Sequence, residues 1–375
     1  MAEQTRRGIG FWGFILRIIN LVFIIALLLS YTAQWVSPEL FWPLAFLGLS
    51  YPILFILNFL FAVHWLFRRR KFFIYPLITI LIGFPLIGRF FQSGNNAEVV
   101  DIHNPFKVLT YNVHVFDQYH SKFGGQNYAK DEIFKFLNEQ AADIYCFQEF
   151  YDRHNVGGQD NIKQLKDLLG TPYSYSEQYN PRSKYLHIVI LSKFPIKSTG
   201  VINAVKKGDE ISGVYADIEL YGKLIRVYSI HLQSFQISSE KYILDMNFDL
   251  TTKKGQNAAK ESSAKMVNKF KIAFAARSRQ IKSIKEHISS STYPVIVAGD
   301  FNDTPSSYAY GQLIMDMDDS FKENGGGFGQ TYIGPYPSFR IDYILHDPNI
   351  MNYKFTTWPI NYSDHYPVSG LYSLE

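Results

Sequence analysis

The amino-acid sequence predicts an α/β (or α+β) sandwich preceded by an apolar, membrane-embedded N-terminal region. Apolar segments long enough to cross a bilayer dominate the first 91 of the 375 residues. The rest of the chain repeats a pattern of short strand, polar residue and connection about six times. Helical segments and hairpins are mixed in that part, so we expect sheets that are covered by helices.

The N-terminal region contains three apolar segments, at residues 11–29, 40–67 and 72–91. Each approaches or exceeds the roughly 20 helical residues that span a bilayer. A signal peptide has a shorter apolar core and is not followed by further long apolar stretches. A soluble hairpin would not explain the basic cluster at 68–71 between two apolar runs. The sequence therefore predicts three transmembrane helices within residues 1–91, with the lipid bilayer as partner of a multi-pass protein.

Basic residues near the ends of these segments predict their orientation. Arg6 and Arg7 precede the first segment and the cluster at 68–71 links the second to the third, whereas residues 30–39 contain no Lys or Arg. Positive charge favours the cytoplasmic side, so three spans would place everything after Phe91 outside the cytoplasm, on the periplasmic or cell-surface side. Arg89 opposes this orientation, and an even number of spans would reverse it.

Composition limits the chemistry of the remaining chain. The single cysteine, Cys146, excludes an intramolecular disulfide framework and a cysteine-based metal site. After residue 104 there are 29 basic and 29 acidic residues. This part therefore lacks the overall basic excess that is typical of nucleic-acid binders.

Residues 92–104 are polar and are expected to form a linker to a domain at 105–375. Within that domain the apolar pattern predicts strands at 106–110, 143–147, 186–191, 215–220, 223–230, 295–297 and 340–345, with a last strand ending at Leu374. Helices are predicted at 129–140, 162–169 and 272–288. Tyr221-Gly222 suits a hairpin turn. The lysine-rich stretch at 238–271 is expected to be a partly helical excursion.

The segment at 293–303 combines a buried strand with a polar end. A β-branched run stops at Gly299 and is followed by Asp300 and Asn302. The period-two geometry of an extended chain places Asp300 and Asn302 on the same side, and Gly299 allows the backbone to bend or to approach a ligand closely. The alternative is an ordinary Asx turn at the end of a strand.

Other predicted strands also end in polar side chains, which are Asn112, Glu149, His231, Asp342, Asp364 and His365. Each has an ordinary alternative: Asn112 suits a turn, Glu149 a surface position, and Asp342 a partner for Arg340. The recurrence of such residues at so many strand ends favours one shared site.

These segments resemble the endonuclease/exonuclease/phosphatase superfamily, which includes DNase I-like nucleases, apurinic endonucleases, sphingomyelinases and inositol-polyphosphate phosphatases. The matching segments, in family order, are Thr110–Val113, Gln148–Glu149, Ser192–Ile196, Ser229–Leu232, Gly299–Asn302, Arg340–Tyr343 and Ser363–Val368. The resemblance covers residues 105–375 and is most specific at Gly299–Asn302 and Ser363–His365. It implies a four-layer αββα sandwich with the site at one edge.

The resemblance, together with the chemistry of phosphate esters, suggests a role for each residue. Mg²⁺ (with Mn²⁺ as a possible substitute) prefers carboxylate oxygens, so Glu149 is expected to be the main metal ligand, with Asp364 and Asn112 contributing. Asp300 would orient or deprotonate the attacking water. Phosphate-binding roles fall to Asn302, His231 and His365. Asp342 would fix the tautomer of His365, and the general base is either Asp300 or His365.

The sequence thus predicts a membrane-anchored, Mg²⁺-dependent hydrolase of phosphoester bonds, either a phosphodiesterase or a phosphatase. The alternatives are a nuclease of extracytoplasmic DNA or RNA, a sphingomyelinase-like phosphodiesterase of lipid headgroups, and a catalytically dead binding module. The intact set of Glu149, Asp300 and His365 argues against a dead module. Nuclease-type members often have an arginine where this chain has Tyr151, which weighs against DNA. The substrate, whether nucleic acid, phospholipid or inositol phosphate, stays open.

Overall fold

A computed structural model describes residues 11–68, 71–94, 101–117, 128–153, 160–180, 183–202, 210–235, 251–334 and 339–374. The N-terminal helices are α1 (Phe11–Thr32), α2 (Pro38–Leu49), α3 (Tyr51–Phe67), α4 (Ile74–Ile82) and α5 (Phe84–Ile87). We call residues 11–91 the helical unit.

The rest of the chain forms strands and further helices. The strands are β1 (Gln92–Ser93), β2 (Phe106–Asn112), β3 (Ile144–Tyr151), β4 (Tyr173–Asn180), β5 (Ser183–Ser192), β6 (Ile196–Ile202), β7 (Gly213–Leu220), β8 (Lys223–His231), β9 (Val295–Asp300), β10 (Asp318–Asp319), β11 (Gly326–Gly327), β12 (Asp342–His346), β13 (Ile350–Thr357) and β14 (Val368–Leu374). The helices are α6 (Tyr128–Gln140), α7 (Asn161–Leu169), α8 (Lys253–Ser289), α9 (Tyr308–Leu313) and α10 (Ser320–Asn324).

Two six-stranded sheets, in the orders β13-β14-β2-β3-β5-β4 and β10-β12-β9-β8-β7-β6, form the centre of the sandwich. Their facing sides share one apolar core, which includes Val108 and Cys146 from the first sheet and Val227 and Ala298 from the second. Helices α6 and α7 cover the outer face of the first sheet, and α8 and α9 cover that of the second. The structure confirms the predicted sandwich of sheets covered by helices.

Strand direction determines which strand ends lie together at one edge of the sandwich, which we call the active edge. Each sheet contains one parallel pair at its centre, β2 with β3 and β8 with β9, while the other pairs are antiparallel. Parallel strands end at the same edge, so each pair delivers two strand ends side by side. Alternate residues of a strand lie on the same face of the sheet. Ile296 and Ala298 of β9 face the core between the two sheets, so Asp300, two residues further on, lies on that face as well.

The prediction of three transmembrane spans was wrong for the described residues. In that part of the chain only α1 is long and apolar enough by itself to cross a membrane, and α2 with α3 would qualify only as one element bent by 53°. The third predicted segment breaks at Gly83, so α4 has 9 residues. The orientation argument required an odd number of long spans and loses its basis.

Proline and glycine explain this difference, because hydropathy records composition and not backbone continuity. Pro52 lies in the first turn of α3 and Pro85 in the first turn of α5, positions where the missing N–H is tolerated but a preceding helix cannot continue unchanged. Each proline therefore starts a new helix within a run that hydropathy reads as continuous.

The helical unit packs directly on the sandwich. Phe46 of α2 contacts Phe270 of α8 edge to face, with ring centroids 5.7 Å apart, and the hydroxyls of Ser37 and Ser278 are 2.8 Å apart. The predicted linker begins with β1, which pairs with β11. The helical part of the predicted excursion at 238–271 is continuous with the helix predicted at 272–288, and both belong to the 37-residue α8. Residues 236–250 lie outside the described part.

Gly299 is required by the close approach of β9 to β8. It has a φ of 143°, and a Cβ at this position would overlap the carbonyl oxygen of Ile230. We expect Gly299→Ala to lower the free energy of unfolding by about 3 kcal/mol or more, the sum of backbone strain and steric overlap. Chemical or thermal unfolding of the full chain in detergent measures this change.

Gly222 provides the matched control, because it has a φ of 85° in the β7–β8 turn and an added Cβ would meet no atom within 4 Å. Gly222→Ala should cost only about 1 kcal/mol, the strain of a left-handed conformation. Equal losses in the two variants would contradict the close-approach explanation.

Candidate active site

Asn112 connects the two sheets at the active edge. Its side-chain nitrogen donates to Oε1 of Glu149 at 3.3 Å and to Oδ2 of Asp300 at 3.0 Å. Its side-chain oxygen accepts the backbone N–H of His114 at 3.0 Å. One amide therefore links the end of β3 in the first sheet to the end of β9 in the second.

Glu149 reaches this edge because β3 contains a bulge. The pairing of β3 with β5 shifts register between Phe147 and Phe150, and Glu149 has a φ of 51°. Regular alternation would have placed Glu149 on the outer face with Phe147. A bulge re-aims a side chain, and here it brings the carboxylate 3.5 Å from Nε2 of His231.

Asp300 is completely buried and accepts several hydrogen bonds. The backbone N–H of Asn302 donates to Oδ1 at 2.8 Å, and the side-chain nitrogen of Asn302 donates to Oδ2 at 3.0 Å. This is the Asx turn that the sequence offered as an alternative, and it lies inside the site. The same nitrogen of Asn302 donates to the carbonyl of Leu232 at 3.0 Å, so both amide hydrogens of Asn302 support the loop.

His365 and Asp342 form the predicted pair, with Nδ1 of His365 2.9 Å from Oδ2 of Asp342. The other ring nitrogen, Nε2, is 3.8 Å from Oδ2 of Asp300. Burial lowers the pKa of His365, but the carboxylates of Asp342 and Asp300 outweigh that effect and hold the pKa well above its ordinary value. These carboxylates therefore favour the protonated form of the ring, and Nδ1 lies within hydrogen-bond distance of Asp342.

Burial raises the pKa of Asp300 to about 6, even though the charge of His365 acts to lower it. A carboxyl group with this pKa is ionised at neutral pH and still accepts a proton readily. Such a value suits a general base that works near neutral pH.

Asp364 lies at the mouth of the site with 30 % of its side chain exposed. Its Oδ1 is 3.9 Å from Nε2 of His365 and 3.7 Å from Nδ1 of His114. The neighbouring Ser363 donates its hydroxyl to the carbonyl of Asn112 at 2.8 Å. This bond fixes the loop that carries Asp364 and His365 to the end of β2.

His231 is buried between the two acids, with Nε2 at 3.5 Å from Glu149 and 3.6 Å from Asp300. Neither ring nitrogen makes a hydrogen bond to any part of the chain that the structure describes. The ring of Tyr179 lies 4.5 Å from it, centroid to centroid, and the Tyr179 hydroxyl donates to Glu210 at 2.7 Å.

The structure thus joins all eight predicted site residues in one network, and their roles stay predictions. Sequence reasoning missed His114 and Tyr179, and it included Ser363 in a motif without assigning it a role. His114 directly follows the motif segment Thr110–Val113 and could have been considered for that reason. Tyr179 lies in a strand rich in tyrosine and carries no sequence signal that separates it from the others.

Among the described residues, Asp300, Asp342 and His365 have ligand atoms within 4.8 Å of one another, close enough to hold a metal ion. This set differs from the predicted set of Glu149, Asn112 and Asp364. In the described geometry His365 pairs with Asp342 through Nδ1 at 2.9 Å. The metal-ligand roles of Glu149, Asn112 and Asp364 stay predictions.

Comparison with known proteins identifies the family and the fold of the chain. A model of the endonuclease/exonuclease/phosphatase family matches residues 109–365. The chain belongs to this family. It is accordingly a hydrolase that acts on phosphoester bonds, and family members generally use a divalent metal. A second family model, for a domain of unknown function, matches residues 13–90.

Solved structures with the same fold include the endonuclease/exonuclease/phosphatase from Bacteroides vulgatus, which is 17 % identical, with 73 % of this chain and 100 % of that chain covered and a TM-score of 0.53. A family protein from Bacteroides thetaiotaomicron is 15 % identical over 72 % and 98 % of the two chains, with a TM-score of 0.52. The human Nocturnin catalytic domain with bound sulfate is 14 % identical over 74 % and 97 %, with a TM-score of 0.50. No curated protein matches the chain.

The raised pKa of Asp300 predicts a pH-dependent stability of the metal-free protein. The native state holds the Asp300 proton up to about pH 6, whereas an unfolded Asp releases it near pH 4. The stability that this proton contributes is present below about pH 4 and is lost as the pH rises through about 6, by up to about 3 kcal/mol. Asp300→Asn cannot titrate and should gain stability relative to wild type over this interval.

Thermal unfolding with a chelator present, between pH 4 and pH 7, measures this difference. Asp167→Asn, at an exposed position of α7, is the control and should follow wild type at every pH. A constant difference between wild type and Asp300→Asn across the range would show that Asp300 titrates like an ordinary carboxyl.

Proposed function

We propose that the protein is a membrane-anchored, Mg²⁺-dependent phosphodiesterase or phosphatase in which Asp300 activates the attacking water. The observation that carries this proposal is the position of Oδ2 of Asp300, which lies 3.0 Å from Asn112, 3.6 Å from His231 and 3.8 Å from His365. A buried base surrounded by groups that can bind phosphate is the arrangement that hydrolysis of a phosphoester requires.

Glu149 and Asp364 would hold the metal, with Asn112 orienting Glu149. Two observations support this fit: the donor atoms are hard oxygens, which Mg²⁺ and Mn²⁺ accept, and Glu149 keeps 24 % of its side chain exposed despite a strained backbone. Strain of this kind clusters at functional sites. A bound divalent cation would supply charge neutralisation for the phosphate group.

The choice between the two candidate bases favours Asp300. Nδ1 of His365 is engaged by Asp342, and the neighbouring carboxylates raise the pKa of the ring. His365 would therefore donate a hydrogen bond to a phosphate oxygen. Two neighbouring titratable groups whose environments push their pKa values apart can serve as an acid and a base. In the proposed reaction water loses a proton to Asp300 as its oxygen attacks phosphorus. The bond to the leaving oxygen breaks, and this oxygen keeps the bonding electron pair and takes up a proton from solvent.

His231 and Asn302 complete the site in different ways. The ring nitrogens of His231 are buried without hydrogen bonds to the described chain, and such groups are costly unless a ligand satisfies them. We assign His231 to a phosphate or leaving-group oxygen. Asn302 was expected to bind phosphate, but its amide hydrogens are used by Asp300 and Leu232, so we assign it to holding Asp300.

Membrane anchoring is supported by the surface of the helical unit. Of the 36 exposed large hydrophobic residues in the described part of the chain, 28 lie between Phe11 and Phe91. Apolar surface of this extent marks an interaction with a membrane or another protein. The 22 residues of α1 suffice to cross a bilayer. We therefore propose an anchor at residues 1–91, a connection at 92–104 and a catalytic domain at 105–375.

A lipid phosphate is the second candidate substrate, and one observation favours it. The loop that follows Asp300 touches the helical unit, since the hydroxyl of Ser306 donates to the carbonyl of Gly48 in α2 at 2.8 Å. A site so close to the anchor would lie near the phosphate groups of the bilayer surface. Nucleic acid is less favoured, because the charges of the catalytic domain balance.

Glu149→Gln is expected to abolish metal-dependent turnover, because the amide keeps the shape of the side chain but removes its charge. Removing a principal ligand group should lower kcat/KM by about 100-fold or more, on the scale of losses for single groups that stabilise charge in the transition state. Wild type should gain thermal stability as Mg²⁺ is added, and this gain should disappear in the variant. Undiminished turnover in Glu149→Gln would refute the metal assignment.

The substrate and the anchor can be tested on the full chain. We expect the protein to stay with membranes after an alkaline wash and to need detergent for release. The purified chain, with and without Mg²⁺, is then offered phospholipid and sphingomyelin vesicles, inositol phosphates, DNA and RNA. Turnover of any phosphoester supports the proposed reaction, and turnover of vesicle lipid alone supports the second candidate. Failure on every class, with Mg²⁺ binding retained, would indicate the binding module.

A further inference from the structure

We propose that Arg89, which belongs to the helical unit, is a positioning residue for the catalytic loop, defined as residues 301–307. The inference rests on the proposed function, in which Asp300 and Asn302 carry out or support the chemistry. It adds a role that neither the family motifs nor the fold assigns, because the helical unit lies outside the part of the chain that matches the family.

The Arg89 side chain crosses from the helical unit to the catalytic loop. Its Nη1 donates to the carbonyl of Pro305 at 3.3 Å and to Oε1 of Gln34 at 2.9 Å. Pro305 stands three residues after Asn302. The guanidinium thus joins the C-terminal end of α1, where Gln34 lies just beyond the helix, to the segment that leaves the active site.

The backbone of Arg89 is held from the other side of the site. Its carbonyl accepts Nη2 of Arg340 at 2.8 Å, and the completely buried Arg340 is fixed by Asp319 at 2.8 Å. Arg340 stands two residues before Asp342. One residue of the helical unit is therefore bonded next to both strands, β9 and β12, that supply Asp300 and Asp342.

Other contacts hold the catalytic loop between the sandwich and the helical unit. Arg277 pairs with Asp303 at 2.9 Å, and the hydroxyl of Tyr343 donates to the carbonyl of Asp303 at 2.8 Å. On the opposite side a Cβ on Gly48 would meet the Cβ of Ala33 at 2.7 Å and the carbonyl oxygen of Ser306 at 3.2 Å. Of these two contacts the one to Ser306 joins the helical unit to the loop, so the unit packs closely against the loop at this point.

Loss of the Arg89 side chain should therefore loosen the loop without altering the residues that contact substrate. Displacement of a reacting group by about 1 Å costs about 100-fold in rate. We expect Arg89→Ala to lower kcat by about 10- to 100-fold, with KM changed by less than about twofold, because a positioning effect is expressed in the transition state. Arg89→Lys keeps a cation that can reach Pro305 and should recover part of the loss.

Arg279→Ala is the matched control, since Arg279 also crosses this interface. It pairs with Glu39 at 2.9 Å, but both side chains are more than 40 % exposed, and exposed pairs contribute little. The variants are compared as full chains in detergent, by kinetics on a substrate that wild type hydrolyses and by hydrogen–deuterium exchange. Arg279→Ala should match wild type in both measurements.

Exchange separates positioning from general destabilisation and does not depend on activity. In Arg89→Ala the amides of residues 301–307 should exchange faster, while those of β7 stay protected. Unchanged exchange in the loop, or equal loss of protection in both segments, would overturn the proposal. A wild-type chain that hydrolyses no phosphoester would count against the proposed function, and the exchange comparison would still decide the role of Arg89.

Discussion

The fully buried carboxylate of Asp300 needs hydrogen-bond partners, and several separate segments of the chain supply them. An isolated charge in a protein interior is costly unless it is paired and hydrogen-bonded. Here Asn112 donates to it from the opposite sheet, Asn302 donates from the following turn, and Nε2 of His365 lies 3.8 Å from it. These groups come from three separate segments, so the carboxylate is stable only when the two sheets meet in the observed register.

The same constraint produces the chemistry. Burial raises the pKa of Asp300 to about 6, whereas the carboxylates of Asp342 and Asp300 raise the pKa of His365 well above its ordinary value. The two shifts favour a proton acceptor beside a protonated histidine, which a solvent-exposed arrangement of the same residues would not provide. This chemistry depends on fixed positions of the site residues. The contacts of Arg89, Arg340 and Arg277 connect those positions to the helical unit.

The sequence predicted the sandwich, and the structure places the predicted site residues close to one another, for a physical reason. Residues such as Ile296, Ala298 and Asp300 alternate regularly, so a strand that buries its apolar side chains also fixes where its last polar residue points. The prediction could not foresee the bulge that redirects Glu149, because a bulge depends on pairing with β5 and leaves no pattern of its own. It could not foresee Tyr179 beside His231, since β4 reaches that position only through the tertiary fold.

The N-terminal region was predicted less well than the sandwich. Its apolar composition was evident, but Gly83, Pro52 and Pro85 divide it into helices that hydropathy alone merges. Contacts such as Ser306 with Gly48 join positions 258 residues apart, and no local signal reveals them. Local patterns thus identified what each segment is made of, and the packing decided how the segments combine.

The contact between Asn112 and Asp300 across the two sheets is the interaction on which the proposed chemistry depends most directly. A double-mutant cycle tests it, with kcat/KM measured for Asn112→Ala, Asp300→Asn and the double variant. Groups that act as a unit are strongly non-additive, so the double variant should be no slower than Asp300→Asn alone. Multiplication of the two single losses would show that Asn112 and Asp300 act independently and would contradict the account.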